Sequence, residues 1–138
     1  MIHSLDFEKL VEYDVGKTGI SLDINLKLIG KSVAVGTKVD TGSTNCIFAR
    51  SIGEQLDLEI ESGELVRISA ATSVFTTYRH DVVLEVLGYE FDARVCFAED
   101  ESFSRNVLGR NWFLNQVLLG LNDYEGQLYL HSLGEMWR

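Results

Sequence analysis

The sequence predicts an all-β domain, built as a closed barrel or a sandwich, with one or two short helices. Short segments in which apolar and polar residues alternate follow one another from Gly19 onward, and this period of two is typical of strands with one buried face. Turn residues separate the segments about every 8 to 12 positions, as in barrels and sandwiches. The length of 138 residues and the hydrophobic fraction of 46% fit one domain with a sizeable core.

The first two predicted strands form a hairpin. Residues 20–28 alternate strictly between apolar and polar side chains. Gly30-Lys31 makes a turn into residues 33–39, which end at Asp40-Thr41-Gly42-Ser43. Residues 49–56 follow as a short helix, since they carry apolar residues four positions apart, and we expect this helix to plug one end of a barrel.

Two further hairpins are predicted in the middle of the chain. Residues 65–70 and 74–78 have strand patterns on either side of Ala71-Thr72-Ser73, so the tip of this hairpin carries little bulk. Residues 82–86 and 91–97 alternate in the same way and form the next hairpin.

The C-terminal third carries the last predicted elements. Asn111 is a good N-cap residue and predicts a short helix over residues 112–117, with Trp112 and Phe113 in the core. Residues 118–121 and 127–130 are expected to pair as strands. The pattern of residues 1–18 is mixed, so we assign them as an N-terminal extension and place the domain at residues 19–138.

Composition limits the classes of partner. The chain has 12 basic and 21 acidic residues and a net charge of −9, which argues against nucleic acid because phosphate binding needs a basic face. No apolar run approaches the roughly 18 residues of a membrane span. Asp6, Glu8 and Lys9 interrupt the place where a signal peptide would be apolar. We therefore expect a cytoplasmic chain with no nucleic-acid or membrane partner.

The cysteines and histidines predict neither a disulfide framework nor a metal site. Cys46 and Cys96 lie 50 positions apart with no histidine nearby, so we expect buried free thiols. His3, His80 and His131 lack the spacing of metal ligands. No cofactor or metal ion is expected.

Asp40-Thr41-Gly42 directly follows an apolar strand. An aspartate held there by a tight glycine turn presents its carboxylate at a cleft, where it can act on water as a general base. Peptide hydrolysis by water also needs an acid for the leaving amine, and two close carboxyl groups that share a proton divide these roles. The chain contains a single Asp-Thr/Ser-Gly sequence, so the second carboxylate has to come from elsewhere.

A second motif lies downstream of the aspartate. Residues 106–111 read Asn-Val-Leu-Gly-Arg-Asn, with Gly109 placed 69 positions after Asp40. Together with residues 40–43, this motif resembles the retropepsin-like aspartic proteases, the single-domain relatives of the retroviral proteases, over residues 19–130. The resemblance implies a retropepsin-like closed β-barrel with a flap hairpin. It also implies an aspartic endopeptidase whose active site forms across the twofold axis of a homodimer, one aspartate from each subunit. In this family the terminal strands often build the dimer sheet, which makes Leu128 and Leu130 candidates for it.

The resemblance carries roles over to five residues of the two motifs. Asp40 corresponds to the catalytic aspartate, and Thr41 to the residue whose hydroxyl locks the two active-site loops together across the dimer axis. Gly42 matches the turn glycine. Gly109 lets the chain pass close behind the aspartate strand, and Arg110 matches the arginine that braces the active site.

The hairpin over residues 65–78 resembles the flap that closes over an extended peptide. Its substrate-binding tip comprises Ala70, Ala71, Thr72 and Ser73. The peptide is expected to add as a strand between flap and floor, with alternate side chains in pockets. Ser43 stands where many viral relatives carry alanine. Its hydroxyl is expected to donate to the ionised carboxylate of Asp40, which would lower its pKa and favour an acidic optimum.

Three positions depart from the family pattern. Thr44 stands where retroviral members have the acidic partner of the arginine, Lys38 replaces a usually apolar residue, and the flap tip lacks glycines. These departures keep a second hypothesis open, a retropepsin-like dimerisation or peptide-binding module with little or no proteolytic activity. A third is an unrelated small barrel in which Asp40 only ends a strand in an Asx turn.

Overall fold

The chain folds mainly into β-strands. The computed structural model describes residues 1–134, so the last four residues of the predicted domain lie outside the described residues. The strands are β1 (Lys9–Glu12), β2 (Ile20–Leu28), β3 (Lys31–Val39), β4 (Ile47–Phe48), β5 (Glu64–Ser69), β6 (Val74–Val86), β7 (Tyr89–Ala98), β8 (Val107–Leu108), β9 (Val117–Asn122) and β10 (Gln127–Ser132). One α-helix, α1, spans Arg50–Gln55, and 3₁₀ helices span Ile60–Ser62 and Leu114–Gln116. The mainly β fold class is confirmed.

Seven strands form a sheet that closes on itself. Their order is β2-β3-β8-β4-β7-β6-β5, and β2 also pairs with β6. The closing pairs join residues 25–27 of β2 to residues 83–85 of β6. The result is a closed barrel of β2, β3, β8, β4, β7 and β6, with β5 extending from it as an edge strand. A second sheet has the order β1-β10-β9.

The β2–β3 hairpin positions the candidate aspartate. Of the five apolar side chains of β2 that alternation places on one face, Leu22, Ile24 and Leu26 are at most 3% exposed, and the two at the strand ends, Ile20 and Leu28, are half-buried. On β3, the buried hydroxyl of Thr37 donates to the carbonyl oxygen of Leu22 at 2.6 Å, which satisfies a polar group in the core. Strand β3 ends at Val39, and Asp40 is the first residue beyond it.

The second strand of the hairpin predicted as a flap is longer than expected. The two strands expected at residues 74–78 and 82–86 are one continuous strand, β6, of 13 residues. The polar run Arg79-His80-Asp81 hides this continuity in the sequence, yet these residues pair with residues 94–96 of β7. The first part of β6 pairs with β5 outside the barrel, and its last part pairs with β2.

Helix α1 confirms the short helix predicted over residues 49–56. It packs closely against β7 at Gly53. A Cβ atom at this position would lie 2.9 Å from the ring of Phe97, so the absence of a side chain permits the contact. Phe48, Phe97 and Phe113 are fully buried. Cys46 and Cys96 are buried free thiols, as predicted.

The helix predicted over residues 112–117 is present only as the short 3₁₀ helix Leu114–Gln116, and its predicted start is wrong. Trp112 has a φ of 74°, outside the helical region, and its N–H donates to the side-chain oxygen of Asn115 at 3.0 Å. The backbone N–H of Asn111, the predicted N-cap, donates to the carbonyl oxygen of Thr44 at 2.9 Å instead. Phe113 is in the core as predicted, whereas Trp112 is 36% exposed.

Both chain ends contribute to the second sheet. Part of the predicted N-terminal extension forms β1, which pairs with β10 through Lys9 and Leu130 at one end and Glu12 and Gln127 at the other. The boundary after residue 18 stays a prediction. Leu128 and Leu130 are fully buried in the chain's own core, on the middle strand of this sheet, and their expected place in a dimer sheet stays a prediction. Within residues 1–134, no helix is both long and apolar enough to cross a membrane.

Candidate active site

Asp40 is held by three hydrogen bonds of the loop that follows β3. Its N–H donates to the carbonyl oxygen of Leu108 at 2.9 Å, which links it to the second motif. Its carbonyl oxygen accepts the N–H of Ser43 at 3.1 Å. Its carboxylate oxygen Oδ1 accepts the N–H of Gly42 at 2.9 Å. The half-buried carboxylate is therefore fixed on one oxygen, while Oδ2 stays available.

Ser43 does not act on the carboxylate as expected. Its hydroxyl donates to the carbonyl oxygen of Asn45 at 2.7 Å. A hydroxyl has one hydrogen to donate, so it cannot also donate to Asp40. The predicted donation from Ser43 to the Asp40 carboxylate is therefore not formed, and Ser43 instead fixes the loop that carries the aspartate.

The second motif packs directly against this loop. Arg110 and Asn111 donate their N–H groups to the carbonyl oxygens of Ser43 and Thr44, each at 2.9 Å. A Cβ atom at Gly109 would lie 2.6 Å from the carbonyl oxygen of Ser43, which no side chain can occupy. Only glycine permits this approach, and the two motifs thus lock together by backbone contacts.

Cys46 ties the same two segments together from the buried side. Its Sγ accepts the N–H of Gly109 at 3.4 Å and donates to the carbonyl oxygen of Asn111 at 3.4 Å. Burial raises the pKa of this thiol to about 12. Cys46 therefore contributes here as a neutral, weakly hydrogen-bonding side chain.

The remaining candidate residues of the motifs face outward. Thr41 and Gly42 are exposed beside Asp40. Arg110 is also exposed, and its guanidinium has no hydrogen bond or ion pair to any described residue. The bracing role predicted for Arg110 has no partner within the part of the chain that the structure describes.

The predicted flap tip is exposed at the end of β5 and β6. The N–H of Ala70 donates to the carbonyl oxygen of Ser73 at 2.7 Å, which closes the turn around Ala71 and Thr72. Residues of the tip line a groove of about 580 Å³, which is called the flap groove. Its wall includes a stacked pair of rings, Phe75 and Phe103, with centroids 5.0 Å apart.

A second groove, of about 640 Å³, is lined by Asp40 itself and is called the Asp40 groove. Its other lining side chains come from the loop before β2, from β2 and β3, and from residues 104–107. Three cationic side chains lie among them: Lys17, Lys38 and Arg105. Ser104 and Arg105 line both grooves, so the two adjoin at this segment, and together they are referred to as the cleft. A larger cavity of about 770 Å³ elsewhere shares no residue with either.

Sequence reasoning missed part of this cleft. It singled out Lys38 as a departure, but it did not assign Lys17, Ser104 or Arg105 to the site. Position is the only signal that could have found Ser104 and Arg105, since they directly precede the second motif. Among the described residues there is no cluster of three or more His, Cys, Asp or Glu side chains suited to a metal ion.

Solved structures share this architecture. The chain aligns with a retropepsin-like aspartic protease from Rickettsia conorii at a TM-score of 0.62 and 14% identity, over 88% of this chain and 96% of that one. It aligns with the retroviral protease-like domain of Ddi1 from Leishmania major at 0.56 and 15%, over 85% and 96%. EIAV protease in complex with the inhibitor HBY-793 aligns at 0.56 and 16%, over 72% and 88%.

No protein-family model and no curated protein matches the chain. The structural alignments cover most of it, and they show that it has the fold of the retropepsin-like aspartic proteases. The resemblance drawn from residues 40–43 and 106–111 is confirmed at the level of the fold.

Proposed function

We propose that this chain, which has the retropepsin-like fold, is an aspartic endopeptidase that works as a homodimer. The observation that carries the proposal is the position of Asp40, which is held at the floor of a cleft with one carboxylate oxygen fixed by Gly42 and the other free. One chain supplies one such aspartate, and a twofold axis beside the exposed Thr41 would bring a second aspartate to the same cleft.

In this proposal the two Asp40 carboxyl groups share one proton. Like charges at close range cannot both ionise, so one carboxyl stays protonated while the other accepts a proton from water. The activated water attacks the peptide carbonyl and forms a tetrahedral intermediate. The protonated carboxyl then gives its proton to the leaving amine as the C–N bond breaks.

The flap and the cleft next to it determine how the substrate binds. Within residues 1–134, strand β5 has an unpaired edge, because it is the last strand of its sheet. An extended peptide can add beside the hairpin of β5 and β6 and place alternate side chains in the two grooves. The flap tip at residues 70–73 then covers the peptide and excludes water other than the attacking one.

We also place the protein in the cytoplasm, with peptide or protein substrates and no nucleic-acid partner. Free thiols persist in reducing compartments, and both Cys46 and Cys96 are free. The net charge of −9 opposes binding to phosphate backbones.

The proposal is tested by cleavage of an unfolded protein between about pH 4 and pH 7, where a shared carboxyl proton operates. Asp40→Asn keeps an oxygen for the N–H of Gly42 and should fold, yet it removes the proton exchange. We expect it to lose cleavage by at least 10²-fold. Asp92→Asn is the matched control, because Asp92 is an exposed carboxylate outside both grooves. Equal cleavage by wild type and Asp40→Asn would refute the assignment.

The alternative is a peptide-binding module with little or no proteolysis. The unpartnered guanidinium of Arg110 favours it, because the brace implied by the resemblance is not formed. Such a module would be a dimer in sedimentation experiments and would bind extended peptides. The substitution Asp40→Asn would leave that binding unchanged. Absence of cleavage by a folded dimer would favour this alternative.

A further inference from the structure

Some Lys and Arg side chains of this acidic chain form ion pairs with carboxylates, and others do not. Within residues 1–134, six of the eleven Lys and Arg side chains lie within 4.0 Å of a carboxylate: Lys9, Lys27, Lys31, Arg50, Arg79 and Arg94. The others have no such partner: Lys17, Lys38, Arg67, Arg105 and Arg110. Three of the unpaired cations line the Asp40 groove. The charge that is free to meet a ligand is therefore concentrated at the candidate site.

Lys38 and Arg105 are neighbours across two adjacent segments. The N–H of Lys38 donates to the carbonyl oxygen of Asn106, the residue after Arg105, at 3.0 Å. Lys38 also precedes Asp40 by two positions, on the exposed face of β3. Both cations thus line the groove that contains the Asp40 carboxylate, Lys38 from strand β3 and Arg105 from the segment that also lines the flap groove.

The side chain of Lys38 rests on Gly19. A Cβ atom at Gly19 would lie 2.9 Å from Cδ of Lys38, so the absence of a side chain there makes room for the lysine stem. A lysine can lie along such a surface and keep its ammonium group in water. The contact holds Lys38 over the groove without neutralising it.

Few carboxylates compete for these cations. Among residues 1–134, Asp23 is the only acidic side chain besides Asp40 that lines the Asp40 groove, and it pairs in register with Gly36, further from Asp40 along β3 than Lys38. The flap groove has more acidic than cationic side chains, since Glu99 and Asp100 line it together with Arg105. Cationic side chains therefore outnumber acidic ones in the groove that contains Asp40, and acidic side chains outnumber cationic ones in the other.

We propose that the Asp40 groove selects peptides with an acidic side chain next to the scissile bond, bound by Lys38 and Arg105. This inference rests on the proposed function. Arginine offers a planar pair of donors that suits a carboxylate, and lysine adds a point charge beside it. Neither cation has to break an ion pair of its own to bind the substrate. Local positive charge also offsets the repulsion that a chain of net charge −9 exerts on an acidic peptide.

The test compares peptides that are identical except for Glu, Gln or Lys beside the scissile bond. At about pH 6 the glutamate is ionised. We expect kcat/KM to be about five-fold higher for Glu than for Gln, and lowest for Lys. Lys38→Met and Arg105→Gln should each reduce the Glu preference about two- to five-fold, as should 0.5 M salt through screening. Lys31→Met is the matched control, because it removes the same charge from the other end of β3 and should leave the preference unchanged.

A binding measurement separates this inference from the proposed function. Fluorescent Glu and Gln peptides are titrated with Asp40→Asn protein, which binds without cutting. Cleavage without a Glu preference would overturn the inference and leave the protease assignment standing. If the wild type cuts no peptide, tighter binding of the Glu peptide still supports the inference, and equal binding of both peptides overturns it.

Discussion

Gly109 lies so close to Ser43 that a Cβ atom at position 109 would stand 2.6 Å from the serine carbonyl oxygen. The neighbouring Arg110 donates its N–H to that same oxygen at 2.9 Å. The loop that carries Asp40 is therefore supported from behind by backbone alone. This contact joins the two sequence motifs, and it sets a strict limit on the residue at position 109.

Gly109→Ala is expected to destabilise the fold by about 1–3 kcal/mol, because the added methyl group forces the two backbone segments apart. Urea unfolding measures the change. Gly36→Ala is the matched control, since the nearest atom to its Cβ position, a carboxylate oxygen of Asp23, lies at an ordinary 3.7 Å. An alanine at position 109 that unfolds at the wild-type urea concentration would contradict the close contact.

Ser43→Ala should leave the acid limb of the pH–rate profile where it is, because the serine hydroxyl donates to Asn45 rather than to Asp40. It should instead lower the free energy of unfolding by about 0.5–1.5 kcal/mol, the usual contribution of one hydrogen bond. Urea unfolding and a pH–rate profile on one peptide check both points. A shift of the acid limb toward neutral pH would show that the hydroxyl turns to Asp40 during catalysis.

Local signals predicted the elements that hold the aspartate. Strict alternation predicted β2, and the same pattern predicted β3 up to its last residue. Asp40 was therefore correctly placed just beyond a strand. Gly109 was found from the second motif, and its lack of space is visible in the structure. These signals succeed because each depends on neighbours along the chain or on a backbone conformation that one residue type permits.

Long-range contacts decided the features that sequence reasoning missed. Asn111 has the side chain of a helix cap, but its backbone N–H is taken by Thr44, and Trp112 leaves the helical region. Strand β1 has only two half-buried residues and forms because β10 offers it an edge. The placement of Lys38 and Arg105 in one groove depends on the pairing of β3 with β8, which no local pattern encodes.

The Arg50–Glu61 ion pair should make stability depend on pH below the ordinary glutamate range. Both guanidinium NH groups of Arg50 donate to this carboxylate, at 2.5 and 2.6 Å. The hydrogen bonds from Arg50 hold the pKa of Glu61 below its usual value of 4.5. A lowered folded-state pKa means that the contribution is present above about pH 4.5 and is lost as the pH falls through the lowered value.

Arg50→Met therefore lowers Tm relative to wild type at pH 7, and the difference should shrink as the pH falls from 4.5 toward 2.5. Thermal unfolding monitored by circular dichroism measures it. Arg94→Met is the matched control, because its partner Asp81 is more exposed and forms a single contact at 3.1 Å. A Tm difference that stays constant across this range would mean that the pair adds no pH-dependent stability.

The thiol of Cys46 should be unreactive in the folded protein. Burial raises its pKa to about 12, so on the order of one molecule in 10⁴ carries a thiolate at pH 8. The side chain is also fully buried, which keeps a reagent from reaching that small fraction. A thiol reagent such as Ellman's should therefore label Cys46 only when the chain unfolds, and Cys96→Ala protein makes Cys46 the single site observed. Labelling at the rate of a free thiol in the folded state would show that the β4 segment opens. Because Gly109 and Asn111 both contact this sulfur, the labelling rate reports how firmly the two motifs around Asp40 are held together.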